Sequence, residues 1–241
     1  TGRGLHPLVW AIALLAALAS LNLLDSRPGR AIRALKNGAT MAEAMGISTF
    51  RYKLTAFVLA AVLAAYYLLT LGYSLRFKRV AMLDVMLLAM LYTLRIIGGT
   101  AVIGAALSFW LLAFSMFIFL SLALLKRYVE LSSMLAEGKI SAAGRGYGVD
   151  DLPLLQSLGG SAGYLAVLVL ALYINSPESI ALYTRPQVLW LLCPLVLYWV
   201  SRTWVVAHRG GMDDDPVVFA VTDRVSQIVG ALCAVIALSA I

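Results

Sequence analysis

Two apolar runs, Ala81–Gly104 and Ser108–Leu125, follow each other with only a short break between them. Each is long enough to cross the hydrocarbon core of a bilayer. Inside that core every backbone N–H and C=O must find a partner within the protein, so only helices or closed barrels span it. Runs of this length select helices. The first run is interrupted by Asp84 and Arg95. The second carries four Phe, one Trp and no charge, and ends in Lys126-Arg127-Tyr128-Val129-Glu130. Charges at such places are costly unless paired, hydrated or bound to something. A function is therefore sought first among them.

Composition extends the argument to the whole chain. Of 241 residues, 62% are hydrophobic and 13% charged, too apolar a balance for one aqueous core. The fold class that follows is all-α: a polytopic transmembrane helical bundle of about seven spans. These are Leu5–Leu24, Leu54–Tyr73, Ala81–Gly104, Ser108–Leu125 (its helix continuing to Leu131), Ser161–Ile174 (reaching back to Leu158), Gln187–Val206 and Val225–Ile241. The connector Asp25–Lys53 has room for short helices at Ala31–Leu35 and Met41–Met45. Ser132–Gly160 reads as a glycine-rich loop with a helix start at Asp150-Asp151. Asn175–Pro186 reads as turns, and Ala207–Arg224 as a loop.

The net charge of +7 does not point to nucleic acid, because the basic residues sit mostly in short connectors, the footprint of cytoplasmic loops. Cys193 and Cys233 lie in apolar spans without a second Cys or a His at ligand spacing, so neither a disulfide nor a metal site is expected. The first residue is Thr rather than Met, which fits a fragment or a processed product.

The loop charges conflict with seven alternating spans. Connectors two (Arg76, Lys78, Arg79), four (Lys126, Arg127, Lys139, Arg145) and six (Arg209, Arg224) form a basic set that belongs in the cytoplasm. The first connector should then lie outside, yet it holds Arg27, Arg30, Arg33, Lys36, Arg51 and Lys53. Either one of the first two spans does not cross, or the chain joins two pieces of opposite native orientation, or the rule has an exception here.

Two family resemblances accompany this conflict. Ser26-Arg-Pro-Gly-Arg-Ala-Ile-Arg-Ala-Leu-Lys36, Met41-Ala-Glu-Ala-Met-Gly-Ile47 and Arg51-Tyr-Lys-Leu-Thr-Ala-Phe-Val-Leu-Ala60 resemble permease subunits of branched-chain amino acid ABC importers. The resemblance implies a coupling helix around Glu43, Ala44 and Gly46 that docks on an ATPase subunit. From about Tyr66 the chain looks like the later part of a UbiA-type membrane prenyltransferase, in the decaprenyl-phosphate phosphoribosyltransferase-like branch. The residues that carry this are Tyr73-Ser-Leu-Arg-Phe-Lys-Arg79, Leu83-Asp-Val85, Leu91-Tyr-Thr-Leu-Arg95, Gly98-Gly99, Ser108-Phe-Trp-Leu111, Lys126-Arg-Tyr-Val-Glu-Leu131 and Asp223-Arg-Val225. Two domains follow, 1–64 permease-like and 65–241 prenyltransferase-like. The second resemblance implies Mg²⁺, polyprenyl phosphate or diphosphate, phosphoribosyl diphosphate, and a multi-pass place in the bacterial inner membrane. The aspartate-rich motif that holds Mg²⁺ in that family has no counterpart here. A third reading is a chimera without native activity.

Each candidate residue has a functional and a bland reading. Asp84 and Arg95 are eleven residues apart, which puts them on one helix face about 16 Å apart along the axis, with Tyr92 beside Arg95. They read as a polar stripe lining a cavity, Arg95 gripping a phosphate with its fork, or as an interfacial carboxylate and a structural donor. Lys126 and Glu130 are one turn apart and can pair. By resemblance, Lys126, Arg127, Tyr128 and Glu130 form the mouth of a diphosphate site; otherwise they are a basic helix end at a membrane surface. Arg76, Lys78 and Arg79 read as a phosphate cap or a topology signal, and Asp223 and Arg224 are balanced in the same way. Asp213–Asp215 reads as a solvated run, and His6 and His208 as lone interfacial residues. The reaction implied is transfer at a carbon bearing diphosphate, the departing oxygens stabilised by cations.

Overall fold

The computed structural model describes residues 48–103, 108–136, 138, 146–212 and 215–241. The contacts divide the chain into two compact units, Thr1–Ala61 and Val62–Ile241. Of the first unit the described part is the start of helix α1 (Thr49–Leu75). The span expected at Leu5–Leu24 and the coupling-helix residues Glu43, Ala44 and Gly46 lie outside the described residues, as do Lys139, Arg145, Asp213 and Asp214.

In the second unit, a 3₁₀ turn at Phe77–Arg79 leads to α2 (Leu83–Ile103) and then α3 (Phe109–Ala136). Next come a 3₁₀ turn at Val149–Asp151, α4 (Leu152–Ile174) and the short α5 (Pro177–Leu182). A 3₁₀ stretch, Pro186–Leu191, runs into α6 (Leu192–His208), followed by α7 (Pro216–Thr222) and α8 (Arg224–Ala240). The described residues include four helical stretches long and apolar enough to cross a membrane: Leu83–Thr100, Phe109–Ala136, Val149–Ile174 and Pro186–His208. The pair α7–α8, bent by 77°, makes a fifth if it counts as one broken span. Seven spans are thus not reached among the described residues. At the place expected for the second, the apolar part of α1, Ala60–Leu75, is shorter than the others.

Three boundaries differ from the sequence reading, for local reasons. The span expected from Ser161 is the later part of a helix that begins at Leu152, next to the helix start read at Asp150-Asp151, with Pro153 in its first turn, where a missing N–H costs nothing. The glycines at 159, 160 and 163 are carried inside it rather than ending a loop. The connector Ala207–Arg224 contains α7: Asp215 caps it by accepting from the Val217 N–H at 2.9 Å, and Pro216 opens it. Asn175–Pro186 contains α5, capped by Ser176 with Pro177 at its start. At the end of α6 the chain turns through Gly210, whose φ of 69° is the left-handed region that suits glycine. The Gly210 N–H reaches the Ala207 carbonyl and the Gly211 N–H the Val206 carbonyl, closing two otherwise orphaned acceptors.

α3 packs most extensively on α4 and next on α2, and α6 packs against α4. The core there comprises Leu124, Leu125, Tyr128, Leu155, Ala166, Val200 and Trp204. Small residues let the backbones approach, as they do between membrane helices generally. A Cβ on Gly159 would stand 2.1 Å from the Trp204 ring. The Gly159 carbonyl also accepts from the Ser121 hydroxyl at 2.7 Å, and Ser121 in turn accepts from Trp204 Nε1 at 3.2 Å.

Gly159→Ala should therefore destabilise the bundle by about 1–3 kcal/mol, the usual range for overpacking. Gly160→Ala, whose added Cβ meets nothing within 4 Å, should be nearly neutral. Thermal melts followed by the reactivity of the Cys193 and Cys233 thiols check both.

Candidate functional site

The charged residues singled out on α2 and α3 converge, but on one another. Asp84, in the first turn of α2, is completely buried, and Arg127 on α3 is 2% exposed. Arg127 Nε donates to Asp84 Oδ2 at 2.5 Å, Nη1 to Glu130 Oε2 at 2.5 Å, and Nη2 to the Tyr73 hydroxyl at 3.0 Å. The other oxygen of Asp84 accepts from the Tyr147 hydroxyl at 2.7 Å and from the Val85 N–H at 2.7 Å. Every nitrogen of the Arg127 guanidinium is thereby engaged, so its fork is spent inside the protein. Burial, and the hydrogen bond to Asp84, push the Tyr147 phenol above its ordinary range. Tyr147 therefore stays a proton donor at neutral pH.

Lys126 points elsewhere. A pair with Glu130 one turn along the helix was expected, but Glu130 is taken by Arg127, three residues away. Lys126 Nζ instead meets Asp215 Oδ2 at 2.5 Å, across to the start of α7. Asp215 was read as part of a solvated run; it is half-buried and structural. Burial works to raise its carboxyl, but the hydrogen bonds from Lys126 and the Val217 N–H outweigh this and hold it below the ordinary value of 3.8. The pair borders a cavity of about 40 Å³ lined also by Tyr92, Phe119 and Pro216.

The stripe expected on α2 does not hold as one environment. Asp84 is sealed, whereas Arg95 is exposed. Arg95 donates to the Tyr66 hydroxyl at 2.5 Å and lies over the Tyr66 and Tyr92 rings at 5.3 and 5.4 Å. Tyr92 also stacks on Phe119. Tyr128 faces inward, its hydroxyl 2.9 Å from His208 Nδ1, so His208 is not lone. Asp223 caps α8 through the Ser226 N–H and grips Arg202 with both oxygens, at 2.7 and 3.0 Å. Arg76, Arg79 and Arg224 are exposed and Lys78 half-buried, and none of the four makes an ion pair among the described residues.

Sequence reasoning missed Tyr147, Arg202 and Asp215 as members of these networks. The signal for Asp215 was present: an Asp before Pro at a helix start. For Tyr147 it was an aromatic side chain in a glycine-rich connector.

The implied Mg²⁺ does not fit the described residues. They hold no group of three His, Cys, Asp or Glu able to bind a metal, and the carboxylates of Asp84, Asp215 and Asp223 are already held by cations. A second cavity, of about 270 Å³, is almost wholly apolar and lies among Phe114, Ile118, Val196, Trp199, Val229 and Cys233. Ser226 borders it and bonds to Asp223.

Comparison with known proteins adds a family and two relatives. The family described as branched-chain amino acid transport system / permease component matches residues 3–138. An uncharacterised protein, y4nM, of Sinorhizobium fredii is 40% identical over 176 residues, 73% of this chain and 34% of its own length. The nodulation protein NoeC of Azorhizobium caulinodans is 37% identical over 171 residues, 70% of this chain and 55% of its own. The chain thus spans between a third and about half of the length of these relatives. A match of 176 residues within 241 must take in α2, α3 and α4 wherever it begins, and so passes the end of the family match.

Two expectations follow from the networks. Asp84→Ala removes the fully buried carboxylate from Arg127, leaving Glu130 as its one charged partner, and should cost about 3 kcal/mol, the lower end for breaking a buried pair, whereas Tyr73→Phe should cost about 1 kcal/mol; thermal melts in one detergent compare them. The depressed Asp215 carboxyl sets a sign: its contribution is complete above its ordinary value of 3.8 and is lost as pH falls through the lower folded value. Melting temperature should fall more steeply with acid below about pH 4 in the native chain than in Asp215→Asn, as a pH series of melts would show.

Proposed function

We propose, because this chain belongs to the branched-chain amino acid transport permease family, that it acts as a membrane-embedded permease component working with an ATPase subunit. The observation that carries the reading is the family match over residues 3–138, which includes the stretch Met41–Ile47 and runs through α3. By resemblance to that family, Glu43, Ala44 and Gly46 would dock on the ATPase. On the membrane side, the apolar cavity beside Ser226 suits a branched aliphatic side chain. The partners on this reading are the bilayer, the ATPase and a small amino acid, and the location is a bacterial inner membrane. Co-expression with ATPase subunits of branched-chain amino acid transporters tests it. The ATPase should co-purify, and Glu43→Arg should abolish that association while the chain remains folded in the membrane. Absence of any co-purifying ATPase, together with no leucine uptake into proteoliposomes, overturns the proposal.

A second reading concerns the unit Val62–Ile241 and rests on the resemblance of the residues from about Tyr66 to UbiA-type prenyltransferases and on the exposed basic turn that holds Arg76 and Arg79. It is a transferase-like role for that unit, acting on polyprenyl phosphate and phosphoribosyl diphosphate. Arg76, Lys78 and Arg79 would meet phosphate oxygens, and Arg224 is a further exposed cation. Arg127 would not, because it is 2% exposed and each of its three nitrogens already bonds within the protein. Purified chain incubated with both substrates and Mg²⁺ should release diphosphate, and Arg76→Ala with Arg79→Ala should reduce that release about tenfold or more, the scale of one lost charged contact. No diphosphate above a protein-free control removes this reading.

A further inference from the structure

The segment before α4 is fastened to the bundle at one place. Gly146 lies against the corner before α2: a Cβ added there would fall 2.9 Å from both the Ala81 nitrogen and the Arg79 oxygen. Tyr147, 5% exposed, donates its hydroxyl proton to Asp84 Oδ1 at 2.7 Å and accepts from the Met82 N–H at 2.6 Å. Met82 is held at a φ of 64°, a left-handed conformation uncommon for a residue with a side chain. The segment is folded on itself by Asp151, which accepts from the Gly148 N–H at 2.9 Å. Among the described residues no other side-chain hydrogen bond ties 146–151 to α2 or α3. Directly beneath lie the sealed Asp84 and Arg127.

We propose that residues 146–151 are a latch over the Asp84–Arg127 layer, fixed by the Tyr147 hydroxyl, whose opening admits water to the charged pair and loosens the corner at Val80–Val85. The two hydrogen bonds of Tyr147 are of a kind that water can replace, donor for donor and acceptor for acceptor. The Arg127 bonds to Asp84, Glu130 and Tyr73 do not pass through the segment, so the pair survives the opening. Release also takes the Tyr147 ring out of the core cluster it shares with Val85 and Leu124, but it leaves the packing of the long helices in place, so it is a local opening of the kind native proteins undergo. The corner is coupled because its Met82 N–H loses the same partner at the same moment. The device is independent of whether the chain transports or transfers.

Hydrogen exchange of the full chain in lipid nanodiscs tests it, read on peptides covering 80–85, 146–151 and, as reference, 162–170 in α4. Tyr147→Phe removes only the hydroxyl. Gly146→Ala removes no polar group but forces the segment away from the corner. In both variants exchange should quicken together at 80–85 and 146–151, by about tenfold, the effect of one lost buried hydrogen bond, with 162–170 unchanged. A rise in only one of the two segments, no rise in Gly146→Ala, or an equal rise at 162–170 each overturns the latch.

Discussion

The arrangement of α2, α3 and the segment before α4 depends on one buried ion pair, Asp84 with Arg127. Two charges taken from water lose several kcal/mol of hydration each, and their attraction repays this only if the remaining hydrogen-bonding positions are also filled. Here they are: Glu130 and Tyr73 complete the guanidinium, and Tyr147 and the Val85 N–H complete the carboxylate. Because Asp84 belongs to α2 and Arg127 and Glu130 to α3, neither helix can shift alone without stranding a charge, while Tyr73 of α1 and Tyr147 of the connector fill the remaining positions. The apolar contacts between these helices would tolerate sliding. The pair does not, and so it fixes their register.

The same logic recurs at the other end of the unit. Asp223 both caps α8 and holds Arg202 of α6 with two bonds, and Ser226, one turn on, accepts from Trp199 of α6. The bend of 77° between α7 and α8 falls at this aspartate. A single carboxylate thus ends one helix short, starts the next and ties both to a third. The apolar cavity beside Ser226 lies between this bent pair and helices α3 and α6.

Much of the fold was legible in the sequence because bilayer length and helix caps are local properties. The apolar run from Ala81 marks α2 closely, and the run from Ser108 marks α3, whose helix in fact extends past Leu131 to Ala136. Asp before Pro at 215–216 and Ser before Pro at 176–177 carry their caps openly. What was not legible is pairing across the chain. Helical spacing relates Lys126 to Glu130, but it says nothing of Asp215, 89 residues away, or of Asp84 and Arg127, 43 residues apart. Lys126 had two carboxylates within reach of its position, and tertiary packing, not spacing, decided between them. The charges were right as a place to look and incomplete as a list, because Tyr147 carries no charge and shows its role only when buried against Asp84.

That pairing divides the basic residues into two kinds, and the division bears on function more than their number does. Arg127, Arg202 and Lys126 are neutralised inside the unit, so they shape the bundle and offer little to a ligand. Arg95 is exposed but held between two aromatic rings. Arg76, Arg79 and Arg224 remain at the surface without ion pairs among the described residues, with Lys78 half-buried beside the first two. Recognition of an anion, whether a phosphate or the carboxylate of an amino acid, would therefore be cheapest at this second set, where no existing bond has to be broken first. A residue's charge in the sequence shows where electrostatic work can be done. Its partners in the fold decide whether that work is already finished.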